Sequence, residues 1–129
     1  QRAPPPDDPR YEKFRRQHIK IDMIDKACDS VINDEMIYDK DGNCKDINTF
    51  ILADENRVQK ICNGKGISKR GYTQSTETFQ IVDCIFKRLG VDKKTCHYTG
   101  ELLKEELLLV KCEGKLPVHF HEGVLDKKK

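Results

Sequence analysis

A chain of 129 residues has room for one domain with a single modest core and too little for two. Hydrophobic and charged residues each make up 36% of it, so burial alone is a lean source of stability and a further restraint is expected. The net charge of +2 excludes a uniform polycation, and no stretch approaches the roughly 18 apolar residues that would suggest a membrane span.

Residues 1–8 (QRAPPPDD) carry three consecutive prolines and read as a flexible N-terminal arm. Asp8 is placed to cap a first helix that opens on Pro9. Tyr11, Phe14, His18 and Ile21 then recur at spacings of three and four and make one face. Met23, Ile24, Ala27, Cys28, Val31 and Ile32 predict a second helix ending near Asn33, and DKDGN (39–43) predicts a turn. A third, short helix is expected to begin near Asp54, to bury Val58, Ile61 and Cys62, and to stop at Asn63-Gly64. The rest reads as sheet: 78–86 (TFQIVDCIF), 106–112 and 116–121 are rich in strand-forming types. The run LLKEELLLV (102–110) suits either helix or strand by local propensity. Helices first and strands later argue for an α+β fold with a domain over 9–125 and a short basic tail over 126–129.

Cys28, Cys44, Cys62, Cys84, Cys96 and Cys112 lie 12 to 22 residues apart, with no CxxC among them. That dispersal disfavours a zinc site or a thioredoxin-like motif and favours three disulfides in an oxidising compartment. Spacing alone leaves their pairing open. The chain opens at Gln1 without an export signal, and the expectation is a mature secreted form. Charge is sorted along the chain: 22–46 carries eight acids, whereas 56–76 carries Arg57, Lys60, Lys65, Lys69 and Arg70 with no acid. Such sorting suits a polyanion-binding face.

Four histidines are present, His18, His97, His119 and His121. A pair of imidazoles runs acid–base chemistry near neutrality, but taken singly, His18 on an apolar helix face and His119 in a strand each read better as hydrogen-bonded structural histidines. Lys45 in CKDINTF reads by itself as a surface lysine. Together these segments resemble the pancreatic-type ribonuclease (RNase A) superfamily from Lys13 to Val124. KFRRQH (13–18) resembles its first helix, CKDINTF (44–50) fits the signature CKxxNTF in full, and VKCEGKLPVHF (110–120) resembles its last strand pair. The six cysteines fit the branch lacking a fourth disulfide, which includes angiogenins.

The resemblance implies a V-shaped, curved antiparallel sheet with three helices, the disulfides Cys28–Cys84, Cys44–Cys96 and Cys62–Cys112, and strand over 102–110. It implies a pyrimidine-preferring endoribonuclease acting on single-stranded RNA without metal or other cofactor. His18 is the expected base, His119 the acid, and Lys45 the cation that stabilises charge on phosphate. Gln17 and the Phe120 main chain are expected to bind phosphate. Thr49, with Asp83 behind it, is expected to read the base edge between Phe120 and Ile47. Further implied partners are a cell-surface receptor or polyanion, a bacterial membrane and the ribonuclease inhibitor, for a protein expected as a monomer with signalling or host defence as the alternative role. Nuclear import of the angiogenin kind would need a basic run where this chain has Asn33-Asp34-Glu35.

One departure stands out. The family places an aspartate two residues after the second histidine, and this chain has His121 there. Strand alternation puts His121 beside His119 and Glu122 on the opposite face. Like-charge repulsion then lowers the pKa of His119 and predicts a weaker enzyme with a more acidic optimum.

Overall fold

The computed structural model describes residues 8–126, so the expected N-terminal arm, apart from Asp8, and residues 127–129 of the tail lie outside the described residues. Helix α1 runs Pro9–His18, with the Asp8 carboxylate accepting from the Arg10 main-chain N–H at 2.9 Å and proline in its first turn. Its buried residues are Tyr11, Phe14, Gln17 and His18, one stripe at helical spacing. Helix α2 covers Cys28–Asp34 behind a 3₁₀ turn at Asp25–Ala27. The second helix therefore starts later than periodicity suggests. Met23 is buried ahead of it and Ile24, in extended conformation, is 58% exposed. Close packing sets this path: a Cβ on Gly100 would lie 2.0 Å from the Asp25 carbonyl oxygen, so only glycine fits beneath the 3₁₀ turn. Helix α3, Glu55–Gln59, is capped by Asp54 through the Arg57 N–H at 2.8 Å, continues as a 3₁₀ turn to Cys62 and ends at Asn63.

Six strands follow the same antiparallel scheme: β1 (Ile47–Ile51), β2 (Gly66–Lys69), β3 (Tyr72–Ser75), β4 (Phe79–Leu89), β5 (Cys96–Glu113) and β6 (Leu116–Leu125). Residues 102–110, ambiguous by propensity, are strand. The V-shaped, curved sheet is corrected by the pairing. The strands form one open six-stranded sheet in the order β1-β4-β5-β3-β2, with β6 branching from β5. The physical reason is the length of β5, whose 18 residues serve as a shared spine. One edge of it pairs with β4 from Cys96 to Glu106 and then with β3 at Leu109 and Val110, while the other edge carries β6. The α+β class and three helices stand.

The sheet separates two apolar clusters. Phe14, Val58, Ile61 and Leu108 lie on one side with Ile51 and Ile81; Met23, Ile32, Ile37 and Tyr98 lie on the other with Phe50 and Val82. Neighbours Phe50 and Ile51 thus face opposite cores, as do Ile81 and Val82, because strand side chains alternate. All three expected disulfides are formed, Cys28–Cys84, Cys44–Cys96 and Cys62–Cys112. Each closes a loop of 50 to 56 residues and contributes about 2–4 kcal/mol to a core this lean.

Candidate active site

The C-terminus of α1, the start of β1 and the middle of β6 converge on a cleft of about 630 Å³. All seven expected site residues line it: Gln17, His18, Lys45, Thr49, Asp83, His119 and Phe120. A larger groove of about 790 Å³ runs along the outer side of α1, but its lining has no histidine and its Arg15 and Arg16 are engaged by Glu12 and the Glu35 carbonyl.

His18 is the last residue of α1 and is 8% exposed. Its Nδ1 lies 2.8 Å from the Thr49 carbonyl oxygen, which can only accept, so Nδ1 carries the proton and Nε2 is left as the basic nitrogen of the neutral ring. Phe14 and Phe120 flank the ring, with centroids 5.2 and 5.4 Å away. Burial, then the nearby Lys45 ammonium, lowers the pKa of His18 to about 3. The ring is therefore neutral across the physiological range.

Asn48, whose role sequence reasoning missed, ties two elements together. It is 1% exposed, donates from Nδ2 to the Gln17 carbonyl at 2.9 Å, and accepts from Lys45 Nζ at 2.8 Å. Lys45 also reaches Gln17 Oε1 at 3.4 Å. Burial lowers the Lys45 pKa to about 8, which leaves a cation at neutral pH. Lys13, another residue not singled out from the sequence, lines the same cleft and adds to the positive field on His18, Lys45 and His119. In both cases the only sequence signal was membership of the matched segments.

Thr49 sits opposite Asp83 in the β1–β4 ladder, and its hydroxyl donates to Asp83 Oδ1 at 2.6 Å. Burial raises the pKa of Asp83, while the Thr49 bond pulls the other way. A hydroxyl that has given its proton to a carboxylate keeps its lone pairs free to accept from a ligand.

His119 lies on β6 opposite Lys111, exposed to solvent, and makes no hydrogen bond among the described residues. Its pKa is lowered by partial burial, then by His121, Lys45, Lys111 and Lys13. His121 thus acts in the expected direction, but simple strand alternation does not describe its place. Val110 pairs with Phe120 and Leu109 with Glu122, so His121 is the extra residue of a β-bulge. The bulge breaks the alternation that was to turn Glu122 away, and Glu122 lines the same cleft. Among the described residues no group of three His, Cys, Asp or Glu side chains is disposed to hold a metal ion.

The likeness to known proteins covers nearly the whole chain. A family described as pancreatic ribonuclease matches residues 9–121. Pancreatic ribonuclease of Camelus dromedarius is 35% identical over 122 residues, spanning 88% of this chain and 96% of that protein. Angiogenin-1 of Bos taurus is 34% identical over 131 residues, spanning 95% and 83%. The X-ray structure of zebrafish RNase5 aligns with a TM-score of 0.84 at 35% identity, covering 95% of this chain and all of that one.

Proposed function

The chain belongs to the pancreatic ribonuclease family, and on that premise we propose that it cleaves single-stranded RNA on the 3′ side of pyrimidines by transphosphorylation. With its cysteines paired in three disulfides, it is a protein of the secreted, extracellular environment. The observation that carries the catalytic reading is the His18 hydrogen bond to the Thr49 carbonyl, which leaves Nε2 unprotonated and directed to acid–base work.

In this mechanism His18 Nε2 takes the proton from the ribose 2′-hydroxyl, and the oxygen attacks the adjacent phosphorus. The bond to the 5′-oxygen breaks as protonated His119 donates to that oxygen, giving a 2′,3′-cyclic phosphate. Lys45, oriented by Asn48 and Gln17, supports the charge that builds on the non-bridging oxygens. The Gln17 amide and the Phe120 main-chain N–H are proposed phosphate contacts. Thr49 reads the pyrimidine edge, with Phe120 and Ile47 as walls. Because its hydroxyl already donates to Asp83, Thr49 is set to accept from the uracil N3–H, whereas cytosine requires the proton to be turned toward the base.

The test is cleavage of a short RNA containing one uridine, beside the same strand with 2′-deoxyuridine at that site. Loss of cleavage on the deoxy strand and a cyclic-phosphate product support the mechanism; equal cleavage of both strands rules it out. A second reading is a signalling or host-defence role, of the angiogenin-like branch, with low residual activity. It is favoured by the exposed basic hairpin tip at Lys69 and Arg70. His18→Ala separates the two: cell engagement survives it and RNA cleavage does not.

A further inference from the structure

Tyr72 opens β3 directly after a two-residue turn in which Arg70 and Gly71 both have positive φ, 55° and 85°, the requirement of a tight hairpin with native twist. Strand β5 lies between β3 and β6, since Val110 pairs with Thr73 on one side and Phe120 on the other. The bulge at His121 frees that residue from the ladder, and its imidazole stacks on the Tyr72 ring, with centroids 4.1 Å apart and planes within 9°. Lys111 of β5 stands 5.5 Å from the same Tyr72 ring. Among the described residues the His121 side chain makes this ring stack and no hydrogen bond or ion pair, and it otherwise sits exposed on an edge strand.

We propose that Tyr72 is a positioning residue acting through His121 on His119: its ring holds the His121 imidazole over β5, beside the histidine that donates to the leaving oxygen. The proposal rests on the two-histidine reading of the cleft, and extends it to a residue on a different hairpin. An aromatic face attracts an imidazole, so the stack keeps the His121 ring at one place near His119 instead of letting it swing into solvent. The groove beyond the stack, about 330 Å³, is lined by Lys69, Arg70, Tyr72 and Glu122. The groups facing the two histidines are therefore Lys111 from β5, Lys69 and Arg70 from the hairpin, Glu122 from β6, Asp83 from β4, Lys13 from α1, and Asp39, Lys40 and Lys45 before β1. Cations outnumber acids in this set, and the stack fixes where the His121 ring stands among them. Held so, it keeps His119 less protonated near neutrality, consistent with His121 being the second cause of the lowered His119 pKa.

The experiment is NMR titration of the His119 ring protons in the wild-type protein and in Tyr72→Ala, Tyr72→Phe, His121→Ala and Tyr72→Ala/His121→Ala. Tyr72→Ala and His121→Ala are expected to raise the His119 midpoint by a few tenths of a pH unit, Tyr72→Phe to keep it, and the double variant to match His121→Ala alone. Where Tyr72→Ala fails to fold, Tyr72→Leu, which fills the space without a π face, is expected to give the same rise. The proposal is overturned if loss of the Tyr72 ring leaves the His119 midpoint in place, or shifts it equally when His121 is already alanine. The titration reads His119 without turnover, so absence of RNA cleavage by the wild type would count against the ribonuclease reading alone.

Discussion

His18 and His119 line one cleft, yet α1 delivers the first as a buried ring pinned to the Thr49 carbonyl, while β6 offers the second to solvent with no hydrogen bond among the described residues. The difference follows from where each strand or helix sits. At the end of α1 the His18 ring sits between Phe14 and Phe120 and against β1, and Asn48 ties the Gln17 carbonyl down. Strand β6 has β5 on one edge only and bulges at the next residue but one. A base must be neutral, which burial provides, and fixed in tautomer, which the Thr49 carbonyl provides; an acid must be protonated, which a cationic, partly buried site opposes.

The largest effect expected is on turnover. His18→Ala and His119→Ala each lower kcat/KM on uridine-containing RNA by about 10²–10⁴-fold with unchanged circular dichroism. Asn48→Ala is next, since it attacks the pinned side alone. Leaving the Gln17 carbonyl without its donor costs about 1–3 kcal/mol in urea unfolding, and the freed Lys45 lowers kcat more than it raises KM.

Stability against pH sharpens the contrast further. The folded-state pKa of His18, about 3, lies below its ordinary 6.5, so the unfolded chain takes up that proton first. Its contribution is full above the ordinary value and is lost as pH falls toward the folded value, at no more than about 1.4 kcal/mol per pH unit. Comparing urea midpoints at pH 7 and pH 4, the loss is expected to be smaller in His18→Ala than in wild type. A smaller effect is expected at Thr49 and Asp83, the pair proposed to read the base. Asp83→Ala removes the acceptor of the Thr49 proton, and cleavage after uridine is expected to fall relative to cleavage after cytidine in a paired-substrate assay.

The pinned side was the more legible in the sequence. Asp8, Pro9 and the Tyr11–Phe14–His18 stripe mark α1 with ordinary capping and periodicity. The cysteine pairing and the assembly of distant His18, Lys45 and His119 came through the family resemblance. Strand β1 escaped pattern reading because it is buried on both faces, so INTFI shows no alternation. The β2–β3 hairpin escaped because it is short, with β2 and its basic turn exposed, and reads as a loop. The bulge at His121 depends on the register of β6 against β5, and no local signal in HFHEG announces it. The V-shaped sheet was an expectation about overall form, which the branching at β5 replaced with a single open sheet.

The difference between the two histidines is tested most directly by the pH dependence of kcat/KM on a single-uridine RNA, in wild type and in His121→Asp. The expected wild-type profile stays active well into the acid range, because His18 remains a free base, and falls on its alkaline side below the ordinary histidine value of 6.5. His121→Asp is expected to move that alkaline fall upward. An alkaline fall at or above 6.5 in wild type, unmoved by His121→Asp, would contradict it.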